Sequence, residues 1–210
     1  MKPDTIPRTN ALRALDAAKV AYEARTYDYT EHGGTIQAAT ELGLDHHATI
    51  KTIILEDENK KPFVCLMHGD CEISTKNLAR ARGCKTVVTC APAVADRHSG
   101  YHVGGTSPFG TRRRMTVYVQ KTIYGLREIY INAGHRGILV AMAPADIDTV
   151  LAGLTVPVDV AIPGGLRRFS LFEPVFHCET LPFRFDLLDC TTFLRFSRRI
   201  CTGTVRGSLV

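Results

Sequence analysis

The chain has 210 residues, of which 45% are hydrophobic and 22% charged, with a formal net charge of +5. That length suits one domain with an appendage or two small domains, and the composition is that of a chain able to bury a core. No apolar run approaches the roughly 20 residues of a membrane span, and the N-terminus Met1-Lys-Pro-Asp-Thr lacks the apolar stretch of a secretory signal, so a cytoplasmic location away from membranes is expected. The mild positive charge permits a polyanionic partner without demanding one. Seven cysteines (Cys65, Cys71, Cys84, Cys90, Cys178, Cys190 and Cys201) are odd in number and include no C-x-x-C pair. They argue for reduced thiols and against a disulfide framework or a structural zinc site.

In chain order, Leu12, Leu15, Ala18 and Lys19 recur at helical spacing and predict a short amphipathic helix over 10–20, with Thr9 or Asn10 as its cap. Alternation over 22–29, with Tyr27 near the end, predicts a strand. A helix follows over 35–43, with Thr35 as cap and Gly43 as stop; the next loop carries His46 and His47. Two β-rich runs, 50–55 and 62–67, flank a polar segment at 57–61 and read as a hairpin. A helix over 74–82, capped at Ser74 or Thr75 and stopped at Gly83, precedes a strand at 85–90. A helix over 92–98 opens on Pro92. After a glycine-rich loop come strands at 115–120, 128–132 and 137–142, then a helix at 144–151. Short helices among six to eight strands, several joined as hairpins, predict an α+β fold with a mixed, strongly curved, barrel-like sheet and peripheral helices.

Composition shifts near residue 160. Residues 161–210 contain seven arginines and no lysine, whereas 1–160 contain eight lysines and eleven arginines. Apolar residues there follow neither strand nor helix period, and Pro163, Pro174 and Pro182 interrupt them. A domain over 1–160 with an atypical, poorly structured tail over 161–210 is expected; a small docking element is the alternative.

The candidates for chemistry begin with Lys51. At period 2 it shares a strand face with Ile53 and Leu55, while Ile50, Thr52 and Ile54 take the other, so the strand is central. Its ammonium either snorkels from the strand end or points into a polar cavity, where it suits a phosphate, a carboxylate or a developing oxyanion. Gly104-Gly-Thr-Ser-Pro108 is either an elaborate surface turn or a nest of N–H groups facing a small anion or carbonyl. It has neither the Gly-Lys-Ser/Thr of a phosphate-binding loop nor a dinucleotide fingerprint. Arg112, Arg113 and Arg114, just beyond, are either a solvated face or collectors of phosphate. Histidines 46, 47, 68, 98, 102 and 135 have no metal spacing and are read as structural. Ser107 precedes a proline and does not form a nucleophile elbow.

Taken together, Ile50-Lys-Thr-Ile, Gly100-Tyr-x-Val-Gly-Gly-x-Ser-Pro-x-Gly110 and Ile129-Tyr-Ile-Asn-Ala-Gly-His-Arg-Gly137 resemble the YbaK/EbsC family of aminoacyl-tRNA deacylases, related to the editing domain of bacterial prolyl-tRNA synthetase. The resemblance runs from about Thr9 to Leu151. It implies hydrolysis of a mischarged aminoacyl ester, here Cys-tRNA(Pro), by attack of the substrate's own thiol, with no metal or cofactor. It implies that Lys51 is the essential lysine. Gly104, Gly105, Thr106, Ser107 and Pro108 then form the loop that holds the aminoacyl group or terminal ribose, with Tyr27 near the pocket. tRNA(Pro) is the implied partner, with prolyl-tRNA synthetase as a second. Two positions depart from the family pattern. Leu139 stands where some members carry aspartate, and Gly34 stands where members often have an aromatic. Editing of Ala- or Ser-tRNA with a bound water is the alternative within the class, and a non-catalytic tRNA- or synthetase-binding module the alternative outside it.

Overall fold

The computed structural model describes residues 6–164. Their elements run α1 (Asn10–Ala17), β1 (Tyr22–Thr26), α2 (Gly34–Leu42), β2 (Thr49–Asp57), β3 (Pro62–Met67), β4 (Cys71–Ile73), α3 (Thr75–Arg82), β5 (Val87–Thr89), α4 (Pro92–Ser99), β6 (Val117–Gln120), a 3₁₀ turn (Lys121–Gly125), β7 (Ile129–Asn132), β8 (Ile138–Met142), α5 (Asp146–Leu151), β9 (Thr155–Val158) and β10 (Ala161–Pro163). The expectation of a poorly structured tail falls, from residue 165 onward, outside the described residues.

β2 is the axis. Its β-branched, apolar sequence suits a strand buried on both faces. Along one edge it pairs antiparallel with β3, from Lys51↔Met67 to Glu56↔Pro62. The 57–61 segment closes that hairpin, because the Asp57 carboxylate accepts from the amides of Asn59 (2.9 Å) and Lys61 (3.0 Å). The opposite edge is shared. β7 runs parallel at its start, through Thr49↔Tyr130 and Ile50↔Ile131, and β5 antiparallel at its end, through Leu55↔Thr89. The sheet follows the order β1-β8-β7-β2-β3-β6-β9, with β5 as a side branch, and the path ends at β1 and β9 without closing. It is a mixed sheet in an α+β fold, as the interleaved pattern predicts. β4 and β10 form a separate two-stranded pair.

Local chemistry explains the helix ends. The Thr9 hydroxyl caps α1 by accepting from Leu12 N at 3.1 Å, Ser74 caps α3, and Pro92 opens α4. Gly43, Gly83 and Gly100 end their helices in the left-handed conformation. Thr35 is not the cap of α2: the helix begins at Gly34, and the Thr35 hydroxyl lies 3.0 Å from His46 Nε2, so a tertiary partner takes the group a cap would use. β1 also stops earlier than expected, at Thr26. Its partner β8 begins at Ile138, and the last contact is Tyr27 N donating to Gly137 O at 2.9 Å.

The sheet separates two main clusters. Ile50, Ile54, Val64, Leu66, Ile129, Ile131 and Val140 pack with α1, α4 and α5 on one side. Leu55, Phe63, Cys65 and Met67 pack with α3 on the other. A third, small cluster of Tyr27, Ala38 and Leu139 lies under α2. It sits next to the face that carries Lys51.

Candidate active site

The period-2 reading of β2 places Lys51 correctly: Ile50 and Ile54 enter one cluster, while Leu55, with Ile53 packed beside it, enters the other. Lys51 is half-buried, and its ammonium donates to Cys71 O at 2.6 Å. It therefore neither snorkels freely nor sits unpaired; the turn into β4 holds it. Glycine at 69 makes that turn possible, since a Cβ there would strike His46 O and come within 2.7 Å of Thr49 O. β10 backs the turn through Pro163↔Cys71 and Ile162↔Glu72. Burial pushes the Lys51 pKa below the usual lysine value, against the opposing pull of Cys71, Glu72 and Asp70.

One residue beyond the Ile50↔Ile131 pair, the same two strands carry Lys51 and Asn132 on the face away from Ile50 and Ile131. Asn132 Oδ1 is buried and has no hydrogen-bond partner among the described residues. A buried acceptor left unpaired costs about 1–3 kcal/mol, so the fold holds this carbonyl in an unfavourable state. In the sequence Asn132 stands within the third motif, where nothing local assigns it a role. Its only local signal is its place between the buried positions Ile131 and Ala133 of an otherwise apolar strand.

The glycine loop reaches the same region through the β7–β8 turn. Gly104 has φ +94 and lies against Tyr29, so an added Cβ would meet the Tyr29 hydroxyl at 2.6 Å. At Gly105 a Cβ would meet Arg136 N and His135 C, each at 2.6 Å. Gly105 is thus required by close approach of backbone, and Gly104 by its positive φ. Arg136 ties the two segments, its Nε donating to Val103 O at 2.9 Å and its guanidinium lying 5.0 Å from the Tyr29 ring centre. The rest of the loop is internal. Thr106, Ser107, Pro108 and Phe109 are buried, Ser107 Oγ accepts from Phe109 N at 3.4 Å, and the Tyr101 hydroxyl donates to Phe109 O at 2.6 Å.

Tyr27 joins this region through its bond to Gly137. Burial raises its phenol pKa, against an opposing hydrogen bond with the Gly137 backbone. Leu139 packs directly with it, so an apolar wall stands where a carboxylate would be. Gly34, with φ +62, has nothing within 4 Å of where a Cβ would be, which leaves open space where an aromatic ring would sit. Arg112, Arg113 and Arg114 belong to the segment after the glycine loop that packs on the end of α4. Their side chains are exposed, while the amides of Arg112 and Arg113 donate back to Ser99 O and His98 O at the end of α4. Burial, then the charges of Arg113 and Arg97, lower the pKa of His98, which marks this as a basic face.

Residues 30–150 match the family model for the aminoacyl-tRNA editing domain. Over 153 residues the chain is 29% identical to EbsC of Enterococcus faecalis, described as a candidate Cys-tRNA(Pro)/Cys-tRNA(Cys) deacylase, covering 72% of this chain and 93% of that protein. Over 105 residues it is 25% identical to a proline–tRNA ligase of Limosilactobacillus fermentum, covering 48% of this chain and 18% of the ligase. Among solved structures, a hypothetical protein superposes with a TM-score of 0.67 at 19% identity, covering 73% of this chain and 100% of that one. A candidate trans-editing enzyme for prolyl-tRNA synthetase superposes with a TM-score of 0.64 at 16% identity, covering 75% of this chain and 99% of that one. These two likenesses concern the fold. No helix among the described residues is long and apolar enough to cross a membrane. The family model spans more than half of the chain, and on that evidence the chain belongs to the aminoacyl-tRNA editing domain family.

Proposed function

We propose that this chain deacylates mischarged tRNA, with Cys-tRNA(Pro) as its substrate. The observation that carries the reading is the half-buried ammonium of Lys51 on β2, with the unpaired Asn132 carbonyl on the adjoining strand β7. Asn132 ends β7, which runs into the turn against which the glycine loop packs, and Lys51 lies on the neighbouring strand β2. The name of the Enterococcus relative supports the choice of cysteine.

In this mechanism the cysteinyl thiol loses its proton and its sulfur attacks the ester carbonyl carbon. The carbon–oxygen bond to the terminal ribose breaks, the ribose oxygen takes a proton, and water opens the resulting thiolactone to release cysteine. No protein nucleophile is consumed. The protein positions the ester and stabilises charge on the carbonyl oxygen. Lys51 has two donors beyond the one spent on Cys71 O. Gly105 N already donates to His102 O and Phe109 N to Ser107 Oγ, so the loop's share falls to the amides of Gly104, Thr106 and Ser107. Arg112, Arg113 and Arg114 supply an exposed positive face for tRNA phosphates. With a net charge of only +5, tRNA identity is read with help from prolyl-tRNA synthetase.

The test compares release of cysteine, alanine and serine from tRNA(Pro) by the purified chain and by Lys51→Ala. Cysteine should leave fastest, and Lys51→Ala should lose at least about 100-fold in rate, the scale of a lost charge-stabilising donor, with an unchanged circular dichroism spectrum. Release of alanine as fast as cysteine would rule out the thiol mechanism. Full activity in Lys51→Ala would rule out the site.

A further inference from the structure

We propose that His47, Asp70 and Cys71 form a binding site for a thiophilic divalent cation, with zinc as the physiological occupant. This goes beyond the editing reading and does not depend on it. It also departs from the expectation, drawn from spacing alone, that the histidines are structural and that no zinc site exists.

The three residues come from two loops separated by more than twenty positions. His47 lies just before β2, and Asp70 and Cys71 at the turn into β4. One ligand atom from each lies within 4.8 Å of the other two. His47 Nδ1 is 2.8 Å and 3.0 Å from the two Asp70 oxygens, and Cys71 Sγ is 3.4 Å from Asp70 Oδ1. Imidazole nitrogen, carboxylate oxygen and thiolate sulfur form a three-ligand set of the kind zinc accepts, with a fourth position left for water. The sulfur disfavours magnesium and calcium, which take oxygen ligands.

The site is also braced from behind. The His47 ring stacks on His68 with centroids 3.7 Å apart and planes 12° apart. His68 is itself fixed, with Nδ1 2.8 Å from His47 O and Nε2 2.6 Å from Thr122 Oγ1. Gly164 N donates to Asp70 O at 3.1 Å, and Pro163 pairs with Cys71. Gly69 seats the turn against His46 and Thr49. Such outer support orients ligands before the ion arrives. The His47 and Asp70 side chains are 40% and 44% exposed, so an ion can enter from solvent. Cys71 also supplies the carbonyl that holds Lys51, so the ion and the Lys51 ammonium share one strand end.

Cobalt(II) reports the site, because thiolate ligation gives an intense near-ultraviolet charge-transfer band. Titration of the full chain should give that band at one equivalent, and zinc should remove it. Cys71→Ser should abolish the band, His47→Ala and Asp70→Asn should weaken cobalt binding about tenfold or more, and Cys84→Ser, outside the cluster, should leave it intact. A second measurement needs no variant: zinc should slow alkylation of Cys71 in the unaltered chain, read by peptide mass spectrometry, while Cys84 reacts as before. A band that survives in Cys71→Ser, the absence of any band, or unchanged alkylation of Cys71 with zinc present would each overturn the proposal.

Discussion

At the scale of single residues, Lys51 and Asn132 are half-buried polar residues on adjoining strands that differ in how they are partnered. Lys51 spends one donor on Cys71 O, and burial lowers its pKa from the usual lysine value. Asn132 spends nothing on its carbonyl. An unpaired acceptor costs stability, so replacing it with an apolar group should not. Asn132→Ala is therefore expected to melt no lower than the unaltered chain, while its deacylation rate falls about tenfold, the loss of roughly 1.4 kcal/mol of ligand interaction. Thermal unfolding and single-turnover deacylation on the same preparation check both signs. A lower melting temperature with full activity would make Asn132 a packing residue. Lys51 could be placed from sequence because alternation along β2 is a local property. The partner that fixes it could not, because Cys71 lies twenty positions away.

At the scale of elements, the glycine loop is held by its own hydrogen bonds and by contact with another turn. A methyl group at 105 would lie 2.6 Å from Arg136 N, so Gly105→Ala must move one segment off the other. Displacement of about 1 Å at a positioning loop costs on the order of 100-fold in rate, and overpacking of this kind costs about 1–3 kcal/mol in stability. Gly125→Ala serves as the control, because nothing lies within 4 Å of its new methyl; it should keep its activity in the same assay. Helix boundaries at Thr9, Ser74 and Pro92 were legible because caps act within one turn of the chain. The α2 boundary was not, because Thr35 has a better partner in His46. β4, β9 and β10 escaped notice for another reason. Runs of three or four residues have no readable period, and Pro157 and Pro163 look like breakers until their place in short strands is known.

At the scale of the whole molecule, the buried pair of Asp57 and Arg82 joins the β2–β3 hairpin to α3. Arg82 donates to Asp57 Oδ2 at 2.9 Å, and its guanidinium lies 4.3 Å from the Phe63 ring centre. Burial by itself would raise the Asp57 pKa. Hydrogen bonds from Lys61 N, Arg82 and Asn59 N outweigh it and hold the carboxyl below its ordinary value of 3.8. Because the folded pKa is depressed, the stabilisation is fully present above the unfolded value and is lost as pH falls through the folded one. Asp57→Asn should therefore melt lower than the unaltered chain at neutral pH, by about 1–3 kcal/mol of stability for the charge-assisted hydrogen bonds lost. The gap should narrow below about pH 4. Melting curves across pH 2–7 test this, and a gap independent of pH would remove Asp57 as its source.

The amino-acid sequence by itself determined the class of fold, the central strand with Lys51 on the face it shares with Ile53 and Leu55, most helix caps and the three motifs that mark the family. Each of these is written in spacing, and spacing acts over a few residues. Tertiary structure decided what only closure of the chain can bring together. It set Cys71 O under Lys51, Asn132 beside it on the next strand, Arg136 against the glycine loop, and His47 next to Asp70 and Cys71. Contacts across tens of residues depend on how the sheet pairs and where its turns close, and that is a property of the packed core as a whole.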